Sequence, residues 1–151
     1  MKKVCIDDLT DALFKDAFMA YFHEFGYEIS NHHEFFEAMN REENNEVLAY
    51  EEAGQIIAFI MYRYDHLSHW FFTEHVMFVR ELWVKPSHRT HGLASKLLME
   101  VESEAQTNQV FKLILTTDSA QHLYLKNGYI LDRSYRAKNN HPVYIKSLTI
   151  D

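Results

Sequence analysis

The apolar positions of this chain change their period several times, and each change marks an element. After a short apolar run over 4–6, Leu9, Leu13, Ala17, Phe18, Tyr21, Phe22 and Phe25 recur at helical spacing and form one apolar stripe. Asp7 or Asp8 is placed to cap that helix and Gly26 to end it. Asn31 or His32 opens a second, shorter helix through Phe35, Phe36 and Met39, followed by a polar loop over 42–45. Strand-like runs over 46–51 and 55–64 flank Ala53-Gly54 and predict a hairpin. Residues 65–73 read as a connection bearing histidines and aromatics, and 75–84 as a strand rich in β-branched and aromatic residues. Helical spacing returns over 93–104, with Leu93, Leu97, Leu98, Val101 and Ala105 on the apolar side. A buried strand over 110–116, a short helix over 119–126 stopped by Asn127-Gly128, and a final antiparallel pair over 129–135 and 143–150 complete the chain, the pair being joined by the polar segment 136–142.

The resulting order is β-α-α-β-β-β-α-β-α-β-β. Its central strand–helix–strand unit requires parallel pairing and a right-handed crossover, whereas the flanking hairpins require antiparallel pairing. The expected fold is therefore α/β: a mixed sheet of about seven strands with helices on both faces. A length of 151 residues suits one domain, 1–151, with one sizeable core.

Between the strand over 79–84 and the helix that begins at Leu93 stands Arg89-Thr90-His91-Gly92-Leu93-Ala94-Ser95. The first N–H groups of a helix lack intrahelical partners and carry the positive end of its dipole, which makes a seat for phosphate. Gly92 and Ala94 are small enough to let a diphosphate approach the backbone, and Arg89 adds a charged donor at the mouth of the loop. The plainer reading is a glycine that only closes a turn.

The order of neighbours goes further. Residues 81–98, with Arg89, two residues, Gly92, one residue and Ala94, resemble the acyl-CoA loop of the GCN5-related N-acetyltransferases. That family's pattern is Arg or Gln, two residues, Gly, one residue, Gly or Ala. Residues 120–129, with Leu123-Tyr124 and Gly128-Tyr129, resemble the family's helix ending in Leu-Tyr, three residues, then Gly-Phe or Gly-Tyr. The resemblance implies two central parallel strands that splay apart, a pantetheine arm in the gap, acetyl-CoA as acyl donor and no metal. It implies donor contacts at Leu82, Trp83, Val84, Arg89, Thr90, His91, Gly92, Leu93, Ala94, Ser95 and Tyr124, those of Leu82 and Val84 through their main chains. It also implies Tyr124 as general acid for the leaving thiolate and Glu81 as the acidic position closest to a base. At the third small position Ala94 stands for glycine, a common choice, while Thr117 stands where an asparagine is frequent and His91 replaces Lys, Arg or Gly.

Composition narrows the class. Hydrophobic residues make up 47% of the chain and aromatics 15%, which excludes a disordered segment. The lone Cys5 excludes an internal disulfide and fits a reducing compartment. The longest apolar run, 56–62, is too short to cross a bilayer, so a soluble, cytoplasmic protein is expected. Net charge is −7, unevenly spread: residues 1–60 carry 13 acidic and 4 basic side chains, residues 61–151 carry 9 and 11. This argues against nucleic acid as a partner and favours a cationic acceptor such as an amine. The 10 histidines show no metal-ligand spacing.

Acyl transfer to an amine needs a neutral amine, a polarised thioester carbonyl, a proton for the thiolate and alignment of both reactants. Tyr124 is protonated at neutral pH and can donate. Glu81 beside an apolar pocket can accept a proton, with His66, His69 and His75 as rivals. The first two helices and the segment 65–73 are expected on the acceptor side, where Tyr21, Tyr27, Glu28, Tyr64 and Asp65 suit a cation. The expected activity is N-acetylation of a small-molecule or peptide amine, with a homodimer as one arrangement the family uses. The competing expectation is a non-catalytic acyl-CoA-binding sensor on the same fold.

Overall fold

The computed structural model describes residues 1–149, so the end of the predicted last strand at Ile150 lies outside the described residues. Along the chain come β1 (Lys2–Cys5), α1 (Ala12–Glu24), α2 (His32–Arg41), β2 (Asn45–Glu52), β3 (Gln55–His69), β4 (Phe72–Val84), a 3-10 turn (Pro86–His88), α3 (Leu93–Thr107), β5 (Lys112–Thr116), α4 (Gln121–Lys126), β6 (Ile130–Leu131) and β7 (Val143–Ser147). The strands form one seven-stranded sheet in the order β1-β2-β3-β4-β5-β7-β6. β4 and β5 run parallel, with Met77 opposite Leu113 and Phe78 opposite Ile114. The β1–β2, β5–β7 and β6–β7 pairs are antiparallel. The sequence-derived element order and the mixed α/β sheet are both observed.

Local chemistry explains most boundaries, and where it was misread the boundary moved. α1 is capped by Asp11, whose carboxylate accepts the Phe14 N–H, and not by Asp7 or Asp8. Asp8 instead accepts from the backbone and hydroxyl of Thr10, making a turn before the helix. α1 ends in a Schellman motif: Tyr27 N–H bonds Phe22 O at 2.9 Å and Gly26 N–H bonds His23 O at 3.0 Å, with Gly26 at φ +83. Ala53 (φ +52) and Gly54 (φ +75) give the β2–β3 hairpin the two left-handed residues of a type I′ turn. The segment 65–73 is not a loop. β3 runs on to His69 and β4 starts at Phe72, so Trp70 and Phe71 alone make the turn. The pair predicted over 129–135 and 143–150 shrinks to the short β6 and to β7.

The described residues form two compact units, one from 1–61 and 81–97, the other from 62–80 and 98–149. In the first, Phe14, Phe18, Phe36 and Phe59 are almost fully buried. Phe18 lies with its ring 5.7 Å from Phe14, 5.7 Å from Phe36 and 5.9 Å from Phe59. Truncating such a ring costs about 3–5 kcal/mol. Phe25, placed on the apolar stripe by periodicity, is exposed. In the second unit, Leu98, Val101 and Ala105 of α3 are buried with Leu113, Leu115 and Tyr129.

Candidate functional site

In the first unit β4 stops at Val84 because the next residues leave the strand conformation. Lys85 N–H bonds Ile57 O at 2.7 Å, Pro86 opens the 3-10 turn, and the chain enters α3 through 89–92. Two residues of that passage are left-handed, Thr90 at φ +70 and Gly92 at φ +78. For a β-branched residue this conformation costs about 1–2 kcal/mol, a strain of the kind concentrated at functional loops. At Gly92 the left-handed backbone favours glycine, and a Cβ there would meet nothing within 4 Å, so that side of the turn is open. The first intrahelical bond of α3 runs from Lys96 N–H to Gly92 O at 3.0 Å. Leu93, Ala94 and Ser95 therefore lie in the first turn of a 15-residue helix, ahead of that bond. These features fit the diphosphate of an acyl-CoA: an open left-handed glycine turn leads into the positive end of a long helix, and exposed His91 and Lys96 stand beside it.

Arg89 does not point loosely into solvent. Its Nη2 donates to both carboxylate oxygens of Glu24 at 2.7 Å, and its Nε donates to Val84 O at 2.9 Å. Glu24 Oε1 also accepts from Trp83 Nε1 at 3.0 Å. Burial pushes the Glu24 carboxyl up, but the hydrogen bonds from Arg89 and Trp83 outweigh it and hold the group below its usual range. One carboxylate on α1 thus ties the end of β4 to the mouth of the loop. Nothing in the sequence singled Glu24 out, because it stands 65 residues from Arg89. Trp83 is buried in the α1 core, which leaves its main chain for any contact with the donor, while Leu82 and Val84 are half-buried.

Glu81 accepts a hydrogen bond from the Tyr21 hydroxyl. Lys85, four residues further on, donates to Gln55 Oε1 at 2.7 Å. The structure therefore joins a base candidate and an acceptor-side aromatic that the sequence had proposed separately.

In the second unit Tyr124 is buried in the short helix α4. That helix ends in its own Schellman motif, with Tyr129 N–H bonded to Tyr124 O at 3.0 Å and Gly128 N–H to Leu125 O at 3.1 Å. The Tyr124 and Tyr129 rings meet edge to face, centroids 5.7 Å apart. The spacing Tyr, three residues, Gly-Tyr thus has a physical basis, since it matches the ends of the motif and the side-chain contact between them. Tyr129 donates to Glu102 Oε2 at 3.0 Å, and burial, then the Glu102 charge, pushes its hydroxyl pKa far up.

The remaining candidates scatter. Tyr64 donates to Glu104 at 3.1 Å, Glu28 faces His23 at 2.9 Å, and Tyr27 is exposed. The tip of the β3–β4 ribbon presents Trp70, Phe71 and Phe72 to solvent, at 97%, 86% and 76% exposure. His66 lies 4.0 Å from Asp65, and His88 lies 3.7 Å from Glu52. Among the described residues no three or more His, Cys, Asp or Glu gather into a potential metal site. A cavity of about 380 Å³ in the second unit is lined by Asp65, Val76, Phe78, Ile114, Thr116 and Arg136, among others.

The mixed seven-stranded sheet is shared with solved acetyltransferase structures. The profile of the acetyltransferase (GNAT) family matches residues 7–129, and the chain belongs to that family. It is an acyl-CoA-dependent acetyltransferase that uses acetyl-CoA as donor. The fold is similar to a ribosomal-protein-alanine N-acetyltransferase from Brucella melitensis biovar Abortus 2308 (18% identity, 91% of this chain and 98% of that one, TM-score 0.69). It is also similar to a predicted acetyltransferase with acetyl-CoA from Clostridium acetobutylicum (17% identity, 90% and 94%, TM-score 0.75). Tetrahymena GCN5 shares the fold at 11% identity over 100% of this chain and 98% of that one, TM-score 0.70. No curated protein matches the sequence significantly.

Proposed function

We propose that this chain, acting as one acetyltransferase domain over 1–151, moves the acetyl group of acetyl-CoA to a primary amine of a small molecule or peptide by direct attack on the thioester. The open left-handed turn at Gly92, leading into the first turn of α3, is the observation that carries this reading. In the reaction the amine nitrogen bonds the carbonyl carbon, the carbon–sulfur bond breaks, and the thiolate leaves. Tyr124 gives its hydroxyl proton to the sulfur, and Glu81, directly or through water, takes the proton the amine loses. Main-chain groups of Leu82 and Val84 align and polarise the thioester. Arg89, Thr90, His91, Gly92, Leu93, Ala94 and Ser95 hold the diphosphate, with Arg89 bracing the loop through Glu24.

Several features support an amine acceptor. The Tyr21–Glu81 pair offers a ring and a carboxylate together, which suits a cation before it loses its proton. The Brucella relative is named for a protein alanine acceptor, which makes peptide N-termini a leading group to test. Among the described residues no helix is long and apolar enough to cross a membrane, and the free thiol of Cys5 suits a cytoplasmic setting. The test is thiol release from acetyl-CoA against polyamines, aminoglycosides, amino acids and peptides with free N-termini. At least one class should stimulate release well above hydrolysis. Binding of acetyl-CoA without stimulation by any amine would leave a donor-binding module and reject the proposal.

A further inference from the structure

We propose that Glu102 and Lys146 are positioning residues for acetyl transfer, fixing Tyr124 through Tyr129 and the last turn of α4; the inference rests on the acid role given to Tyr124 above. α4 has six residues and its N-cap, Ala120, makes no side-chain capping bond. A helix needs about 12–15 residues to persist alone, so the orientation of this one must be imposed from outside. Upstream, Thr117 Oγ1 accepts the Ala120 N–H at 3.0 Å, before the helix begins. Downstream a second set of bonds holds the turn. The Tyr124 carbonyl accepts from Asn127 N–H and Tyr129 N–H, both at 3.0 Å, and Asn127 Nδ2 returns to Leu123 O at 2.8 Å.

Lys146, on β7, closes this turn from the other side. Its Nζ donates to Asn127 O at 2.9 Å and to Glu102 Oε1 at 2.7 Å, and lies 5.7 Å from the centre of the Tyr129 ring. Glu102 Oε2 receives the Tyr129 hydroxyl at 3.0 Å. The ring that packs edge-on against Tyr124 is therefore gripped at its hydroxyl and over its face, and the backbone that follows α4 is gripped at Asn127. Gly128 lies at the centre of this turn. At φ +91 it completes the turn, and a Cβ there would come 3.4 Å from Lys146 Cε. Among the described residues Glu102 is the one charged side chain classed as buried, at 8% exposure. A buried ion pair adds little net stability over apolar residues of the same shape, because desolvation offsets the attraction. The element this pair holds here is the one bearing Tyr124.

The test combines kinetics with a spectrum of the enzyme alone. Lys146→Met and Tyr124→Phe are made singly and together and assayed with acetyl-CoA and the most active amine of the panel above. Lys146→Met should lower kcat on the order of tenfold, since small misplacements of a reacting group are costly. The KM for acetyl-CoA should change less than twofold. In the Tyr124→Phe background the same substitution should have no further effect on kcat, because the group it positions is gone. In ligand-free protein with labelled tyrosine rings, the Tyr124 signal should shift in Lys146→Met. If Lys146→Met does not fold, Tyr129→Phe, which keeps the ring and loses only the bond to Glu102, enters the same cycle. An equal loss of kcat in both backgrounds, or an unmoved Tyr124 signal, would overturn the positioning role alone. Unchanged turnover in Tyr124→Phe would remove the acid role and this inference with it.

Discussion

Removing Arg89 or Glu24 should loosen the same loop, because each side chain holds the other. Arg89→Ala should weaken acetyl-CoA binding about tenfold or more by calorimetry, the range for losing charged hydrogen bonds. Glu24→Gln should weaken it as well. Tighter binding in Glu24→Gln would mean that Glu24 competes with the diphosphate for Arg89 and does not brace the loop. The same carboxylate carries a pH dependence. Its pKa in the folded protein lies below the ordinary 4.5, as the bonds from Arg89 and Trp83 outweigh burial. A depressed carboxyl stabilises the fold above its unfolded pKa, and that contribution fades as pH falls through the folded value. Wild type should therefore melt above Glu24→Gln at pH 7, and the gap should close as acidification passes below the usual carboxylate range. A gap that stays constant over that range would disprove the linkage. At this scale the turns at Tyr124–Gly128 and at Gly92 were legible because each belongs to a fixed local pattern. Glu24 was not, because its role is defined only by two partners distant in sequence.

Elements were legible wherever one local rule decided them. Asn31 caps α2 as its polar side chain allows, and Ala53-Gly54 turns the hairpin. The misreadings fall where two local solutions competed. Asp7, Asp8 and Asp11 all have capping side chains, and the choice of Asp11 followed from the Asp8–Thr10 turn ahead of it. The ribbon over 65–73 looked like a loop because its side chains are largely exposed and polar or aromatic, which hides the alternation that reveals a half-buried strand. The glycine turn before α3 makes its own prediction. Gly92→Ala meets no clash but must hold a left-handed backbone, at a cost of about 1 kcal/mol. That should lower Tm by about 2–4 °C in a chain of this size. Gly26→Ala, at φ +83 and equally open, should cost the same stability while leaving acetyl-CoA affinity intact. If both variants bind acetyl-CoA like wild type, the diphosphate does not sit on the Gly92 turn.

For the whole molecule, donor binding and stability are linked. CoA at about 100 times its Kd should add about 2.7 kcal/mol to stability. In a chain of this length that corresponds to a rise in Tm of about 5–10 °C. A melting curve that CoA leaves unmoved at millimolar concentration would count against the donor site. Charge also acts at this scale. The acidic excess in residues 1–60 should attract a cationic acceptor over a distance, so its KM should rise with salt, whereas an uncharged amine should be indifferent.

By itself the sequence determined the element order, the mixed sheet, the family and the glycine turn, since periodicity, turn chemistry and short motifs are all written in neighbouring residues. The tertiary structure decided which partners the carboxylates take. It brought Glu24 to Arg89, Tyr21 to Glu81, and Glu102 with Lys146 to Tyr129. Those pairings depend on where distant segments come to rest, and many other acids in the chain would have satisfied the same local pattern equally well.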